Sequence, residues 1–313
     1  KVIFTLAMFI VFRAGTHIAV PGVNGSVIEQ LFRSGNLFGL LDMFSGGALS
    51  KFSIFAMSIT PYINASIILQ LLKVVVPTLE QWSKEGEEGY KKTTKLTRML
   101  TVALAFIQAC GMAYGLRMAI NNPGIGSILL IALTLTAGTV FLMWIGEQMT
   151  ARGVGNGISL IIFAGIVSRL PDGLKIIFQY LQAGTVNILN VILFAAIALA
   201  MIVFVIMISQ GIRKIPVQYA KRVVGKKAYG GHTSYIPLKV NTAGVIPIIF
   251  ASSVLMFPVT IAQFVDVPWV KTLGKWFEWG SPVQTTLYVL MILFFTYFYT
   301  AVSFNIGDLS DNI

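Results

Sequence analysis

The side chains best equipped for chemistry gather in one stretch, QGIRKIPVQYAKRVVGKKAYGGHTSYIPLK, residues 210–239. It carries seven Lys and Arg residues, and no Asp or Glu occurs between Asp172 and Asp266. Arg213, Lys214, Lys221, Arg222, Lys226 and Lys227 alternate with Tyr219, Tyr229 and apolar residues. Clustered cations with interleaved aromatics suit RNA phosphate or an acidic protein face. Pro216, Gly225, Gly230 and Gly231 punctuate the run, as an ordered hairpin-like projection requires. A plain topology signal is the competing explanation, because cationic loops gather on the cytoplasmic side of membranes. The loop itself does not say which partner it meets.

Other reactive groups form no recognisable apparatus. His17 and His232 lie in no HExxH and beside no GxSxG, so an intramembrane protease is not expected. Gly153, Gly155 and Gly157 lack the GK[ST] of a phosphate-binding loop. Cys110 is the only cysteine, which excludes disulfides within the chain and a cysteine metal cluster. Arg13 and His17 fall toward the outer end of an apolar run and are expected to snorkel or pair. Neither an enzyme nor a cofactor is expected.

These groups sit on a membrane scaffold. Apolar residues make up 56% of the 313 positions and charged ones 11%, against about 25% charged in a soluble domain. Eight runs are candidates to cross a bilayer, near 2–21, 52–75, 97–116, 127–146, 154–170, 188–209, 240–264 and 285–304. The fifth has the shortest uninterrupted core, Ile158 to Ser168, and crosses only if its helix starts among the glycines at 153–157. Lys1 opens directly onto a span with no small-residue cleavage site behind it, so no cleavable signal peptide is expected. No Asp or Glu lies within these eight runs, which weakens the alternative of an ion-coupled secondary transporter.

One stretch departs from this pattern. Leu37 to Leu49 is broken by Asp42 and by Gly46-Gly47, too short an apolar run to span lipid. It reads as a re-entrant or capping segment, and such backbone survives at membrane depth only when protein or a water-filled cavity surrounds it. The run that follows, read as a helix from Phe52 to Val76, carries Thr60, Pro61, Asn64, Ser66 and Gln70, a face suited to a polar path. With a cytoplasmic N-terminus, 15 of the 23 Lys and Arg residues fall inside, which favours that orientation.

Several blocks carry a resemblance. FSGGALSKFSIFAMSITPYINASIILQLL, LTAGTVFLMWIGEQMTARGVGNGISLIIFAGIVSRLP, IPVQYAKRVVG with YGGHTSYIPLKVNTAGVIPIIFASS, and FFTYFYTAVSFN with DLSDN follow one another in the chain. Together they closely resemble the SecY family, pore subunits of the bacterial Sec protein-conducting channel. The resemblance implies an all-α polytopic membrane protein, a helix bundle built as an inverted five-helix repeat with a re-entrant plug. It covers essentially the whole chain, with eight of the expected ten spans, so the chain is taken as part of a longer protein. The N-terminal half would be 1–183, with the plug at 37–50, and the C-terminal half 184–313, with the basic loop at 210–239.

Roles follow from the same resemblance. It implies a plug centred on Phe44, Ser45, Gly46, Gly47, Ala48, Leu49 and Ser50. It implies a hydrophobic pore ring of Ile59, Ile63, Ile158, Ile162 and Ile249, in which each same-helix pair is spaced to point one way. Asn64, Gln108 and Asn241 would belong to a lateral gate open to lipid, their plainer role being helix–helix hydrogen bonds worth about 1 kcal/mol each. Arg213, Lys214, Lys221, Arg222, Lys226 and Lys227 would dock cytoplasmic partners. The partners implied are SecE, SecG, the SecA ATPase, the ribosome, signal sequences, secretory polypeptides and membrane lipid, and the place is the bacterial plasma membrane.

Overall fold

Long apolar runs become helices because hydrocarbon offers backbone amides no other partner. In the computed structural model, which describes residues 1–25, 27–28, 42, 45–218, 222–224, 227–229, 233–248, 250–252, 254–255, 276 and 281–303, nine helices have full bounds. They are α1 (Val2–Gly15), α2 (Thr60–Val75), α3 (Pro77–Lys84), α4 (Glu87–Gly115), α5 (Ile125–Arg152), α6 (Gly157–Ser168), α7 (Leu170–Gln182), α8 (Ile188–Gln210) and α9 (Pro282–Ser303). Four of them, α4, α5, α8 and α9, are long and apolar enough to cross a bilayer. The protein is a multi-pass helical membrane protein. No side chain of α8 is buried, as expected of a helix that is apolar on every face and meets lipid.

Side-chain caps set two of the starts. Asn156 Oδ1 accepts from the amides of Ile158 at 3.0 Å and Ser159 at 3.3 Å, which fixes the N-terminus of α6. Asn187 Oδ1 accepts from Leu189 N at 3.5 Å before α8.

Several bounds correct the sequence reading. The second helix begins at Thr60, with Pro61 in its first turn, not at Phe52. Residues 51–59 form turns instead, and Phe52 (φ 43°) and Ser58 (φ 51°) adopt left-handed backbone that no α-helix accommodates. The first helix ends at Gly15, and α6 has 12 residues, roughly 18 Å at the usual rise. Helix α5 continues past the 127–146 run and includes Glu147, which accepts both Nε and Nη2 of Arg98 at 2.8 Å. That bidentate pair ties α4 to α5 and neutralises the carboxylate.

The basic stretch forms two antiparallel ladders. Strand β1 (Ile212–Gln218) pairs with β4 (Thr233–Lys239) from Ile212↔Lys239 to Gln218↔Thr233. Between them β2 (Arg222–Val224) pairs with β3 (Lys227–Tyr229).

The described chain divides into two compact units, residues 1–174 with 252–289, and residues 175–251 with 290–313. The first unit holds two apolar clusters. One joins Val20, Ile28, Leu49, Phe52 and Ala56 to Ala105, Ala109 and Ala113 of α4 and to Ile131 and Leu135 of α5. The other joins Phe12, Ala48, Phe55 and Ile59 to Leu142, Ile145 and Met149 of α5 and Ile161 of α6. Residues 48–59 contribute to both. In the second unit, Phe250 meets Phe295 edge to face at 5.5 Å.

A side chain at Gly138 of α5 would collide with the carbonyl oxygen of Ile54, whereas Gly126 of the same helix faces open space. Gly138→Ala should therefore lower the thermal midpoint of the purified protein, as overpacking costs about 1–3 kcal/mol. Gly126→Ala should leave it unchanged or raise it slightly. Equal midpoints for the two variants would show that α5 does not need to approach residue 54.

Candidate functional site

A non-helical segment can be buried only if its amides find partners, and residues 45–59 find them within the first unit. Phe52 O accepts from Val20 N at 3.0 Å, and Ile18 O accepts from Ile54 N at 2.9 Å, which pins the segment to the chain leaving α1. Shorter turns close the rest: Ser53 N donates to Ala48 O at 2.8 Å, Phe52 N to Leu49 O at 2.9 Å and Ser58 N to Phe55 O at 2.8 Å. The hydroxyl of Ser45 accepts from Leu49 N at 3.2 Å.

Close packing completes the enclosure. Phe55 stacks between Phe12 of α1 and Phe141 of α5, with centroids 6.2 Å apart on either side. Gly15 leaves room for the Phe55 ring, as Gly138 does for the Ile54 carbonyl. Gly46 (φ 67°) and Gly47 (φ 88°) take a backbone form that other residues rarely adopt. A Cβ on Gly46 would lie 3.1 Å from Gly165 Cα of α6, and one on Gly47 would lie 3.1 Å from Arg169 Nη2.

Charge fastens the same segment. The buried carboxylate of Asp42 pairs with Arg169, the residue that follows α6. Asp42 Oδ1 also accepts from Ser50 N at 2.8 Å and Ser45 Oγ at 3.3 Å, and its carbonyl accepts from Gly47 N at 2.9 Å. Arg13 Nη1 also donates to Gly46 O at 2.9 Å. The sequence presents Asp42 as a break in an apolar run and Arg13 as a cation that snorkels or pairs, and it does not single out Arg169. The available signal was a lone arginine closing an apolar run directly before Leu170-Pro171.

Among the residues assigned by resemblance, Ser45, Gly46, Gly47, Ala48 and Leu49 are buried and Ser50 is half-buried, while Phe44 lies outside the described residues. Ile59 is buried at the start of α2, and Ile63, Ile158 and Ile162 pack half-buried against its cluster. The four are thus brought together on α2 and α6, and Ile249 lies outside the described residues. Asn64 of α2 and Gln108 of α4 are half-buried, and Asn64 Oδ1 has no hydrogen-bond partner among the described residues. Asn241, in the second unit, accepts from Gly244 N at 2.9 Å through its own side chain and so closes a turn.

In the basic stretch, Arg213 and Lys214 are exposed on β1, and Lys214 Nζ sits 4.7 Å from the centre of the Tyr235 ring on β4, a cation–π contact. Arg222 and Lys227 lie in β2 and β3, and Lys221 and Lys226 lie outside the described residues. No cluster of His, Cys, Asp or Glu that could hold a metal occurs among the described residues.

Helices wrapped around a short irregular segment define a class, a multi-pass membrane protein whose interior is closed by its own chain. Comparison with known proteins gives the family. The SecY family model matches residues 53–313. The chain is 50% identical to the protein translocase subunit SecY of Halalkalibacterium halodurans over 325 residues, covering 100% of this chain and 75% of that protein. It is 48% identical to that of Bacillus subtilis, with 100% and 75% covered, and 43% identical to that of Escherichia coli K12, with 100% and 73% covered. Among solved structures, one of a protein-conducting channel superposes with a TM-score of 0.61 at 19% identity, over 84% of this chain and 57% of that one. A SecY structure whose plug domain stabilises the closed state and maintains a membrane seal gives 0.59 at 20% identity, over 84% of this chain and 57% of that one. Canine Sec61 in a ribosome-channel complex gives 0.60 at 19% identity, over 84% and 58%. The chain belongs to the SecY family.

Gly47→Ala should loosen the segment, because a side chain at φ 88° beside the Arg169 guanidinium is strained by about 1–2 kcal/mol. Maleimide labelling of Ser50→Cys in a Cys110→Ser background reads this, and the rate should rise about tenfold with the added alanine. An unchanged rate would mean that the segment accommodates the methyl without moving.

Proposed function

We propose that this chain forms the pore of a protein translocase, a passive gated channel that passes unfolded secretory polypeptides across the bacterial plasma membrane and releases transmembrane segments sideways into lipid. The observation that carries the reading is the buried non-helical segment 45–59 packed against α1, α4, α5 and α6, in a chain matched over its whole length by SecY proteins. An irregular segment inside such a cage is a natural closure. Its amides bond to its own turns, to Asp42 and to Ile18, not into a long helix, so residues 45–50 leave without unravelling one.

The isoleucines supply the barrier. Ile59, Ile63, Ile158 and Ile162 form an aliphatic cluster that excludes ions by dewetting, and the family resemblance assigns Ile249 the same role. Aliphatic side chains close around an extended polypeptide without binding one sequence strongly. Asn64, Gln108 and Asn241 serve the lateral gate, where weak polar contacts exchange readily when an apolar signal sequence enters. Transport draws its energy from SecA or a translating ribosome at the cytoplasmic face, with SecE and SecG beside the chain in the membrane. The basic ladders at 210–239 are the docking surface, and the N-terminus is cytoplasmic. The division into halves at residues 183 and 184 belongs to this reading. No specific observation favours an ion-coupled carrier.

Ile63→Asn and Ile158→Asn should each hydrate the ring and raise resting conductance in planar bilayers. If both stay as silent as the parent while folded, these isoleucines serve packing alone.

Replacing Lys221, Arg222, Lys226 and Lys227 with Glu should weaken binding to SecA and to ribosomes by at least about tenfold at low salt, since each lost cation removes a counterion-release contribution. The parent's affinity should fall steeply with salt. Unchanged affinity for both partners in a salt-controlled assay would remove the docking role.

A further inference from the structure

Opposite charges inside an apolar cage are costly to place there, and this pair joins two elements that differ in kind. Asp42 is 4% exposed, is itself helical and precedes the non-helical segment 45–59 in the chain, whereas Arg169, its side chain 31% exposed, closes α6 and leads directly into Leu170-Pro171 of α7. Arg169 also faces a second carboxylate. Its Nη1 stands 3.9 Å from Asp172, whose side chain is 54% exposed. Arg169 Nη2 donates to Ser50 Oγ at 3.3 Å, and its Nε has no partner among the described residues.

We propose that Asp42 and Arg169 form a hydration-sensitive latch that holds residues 45–50 in the cage, with Asp172 keeping Arg169 paired once the segment has left. The inference rests on the channel reading and adds to it an ion pair that neither the family match nor the resemblance assigns.

The physics follows from dielectric. In a dry interior two unit charges attract many times more strongly than in water. Desolvation offsets much of that attraction, so a buried pair adds little net stability to the fold. Breaking it without water is another matter, because each charge is then left uncompensated. Withdrawal of the segment is opposed on that account at the Asp42 end, where the carboxylate is buried. Once water enters with an arriving polypeptide, both groups are solvated and their attraction falls to its aqueous value. Opening is thereby coupled to wetting. Arg169 retains Asp172 in either state, Asp42 travels to water with its segment, and the Ser50 hydrogen bonds are exchanged for water.

The test uses the whole translocase complex in planar bilayers, with precursor transport measured in proteoliposomes. Arg169→Gln should raise resting opening at least about tenfold, since it leaves the buried Asp42 carboxylate unpaired, and Asp42→Asn should raise it as well, since Arg169 then holds only Asp172 and no longer the segment. The double variant should open no more than the more severe single one, because both remove one shared interaction. Arg169→Lys, which keeps the charge, should restore most of the closure, a rescue that loss of packing volume would not predict. Should Arg169→Gln fail to assemble, Asp42→Asn, which keeps shape and a hydrogen-bond acceptor, decides the matter alone. Singles as silent as the parent, or a double variant whose effect is the sum of the two, would overturn the latch. A parent complex that opens for no signal-bearing precursor would overturn the channel reading instead, and the latch with it.

Discussion

A backbone amide inside a hydrocarbon slab has no water to turn to, and the arrangement of the first unit follows from how one short segment meets that demand. Residues 45–59 are not helical, yet they lie among the most buried in the chain. Their donors and acceptors are taken up by their own turns, by Ile18 and Val20, and by the side chains of Asp42 and Arg13. Helices α1, α4, α5 and α6 supply the walls. The walls in turn are shaped for the segment, with Gly15 and Gly138 opening room on two of them and Gly165 on a third.

The same constraint separates this segment from the long helices. A helix satisfies its amides internally and cannot be removed from a bundle without exposing a whole apolar cylinder. A short run of turns, of which residues 45–50 lie clear of the backbone bonds that hold Phe52 and Ile54 to the chain leaving α1, exchanges a few hydrogen bonds and one ion pair. A movable closure at membrane depth is therefore expected to be short, glycine-bearing and tied down by polar groups that water can replace. The GG pair at 46–47 and the Asp42 carboxylate fit that expectation.

How much of this was legible depends on the residue. The apolar runs at 97–116, 127–146, 188–209 and 285–304 announced α4, α5, α8 and α9 through length alone. Phe52 to Ile59 misled, since apolar residues that bury in turns read the same as apolar residues in a span. Pro61 marked the true helix start and went unused. Gly and Pro punctuation pointed to a hairpin at 210–239, but the register from Ile212↔Lys239 inward needed coordinates. The pairing of Asp42 with Arg169 was out of reach, because the two lie far apart in the chain and nothing in either local pattern names the other. Family membership, by contrast, was carried by long blocks in order, which tolerate local errors of helix boundary.

The account turns on whether residues 45–50 leave the cage while a polypeptide passes. Spin labels on Ser50→Cys and Phe163→Cys, in a Cys110→Ser background, report the distance from the segment to the exposed face of α6 by pulsed electron spin resonance. In the resting complex a single short distance is expected. With a signal-bearing precursor stalled in transit, the distribution should shift to longer distances and broaden, and it should return when the precursor is released. A distribution that stays at the resting distance while precursor is demonstrably inside the channel would contradict the claim that this segment closes the path.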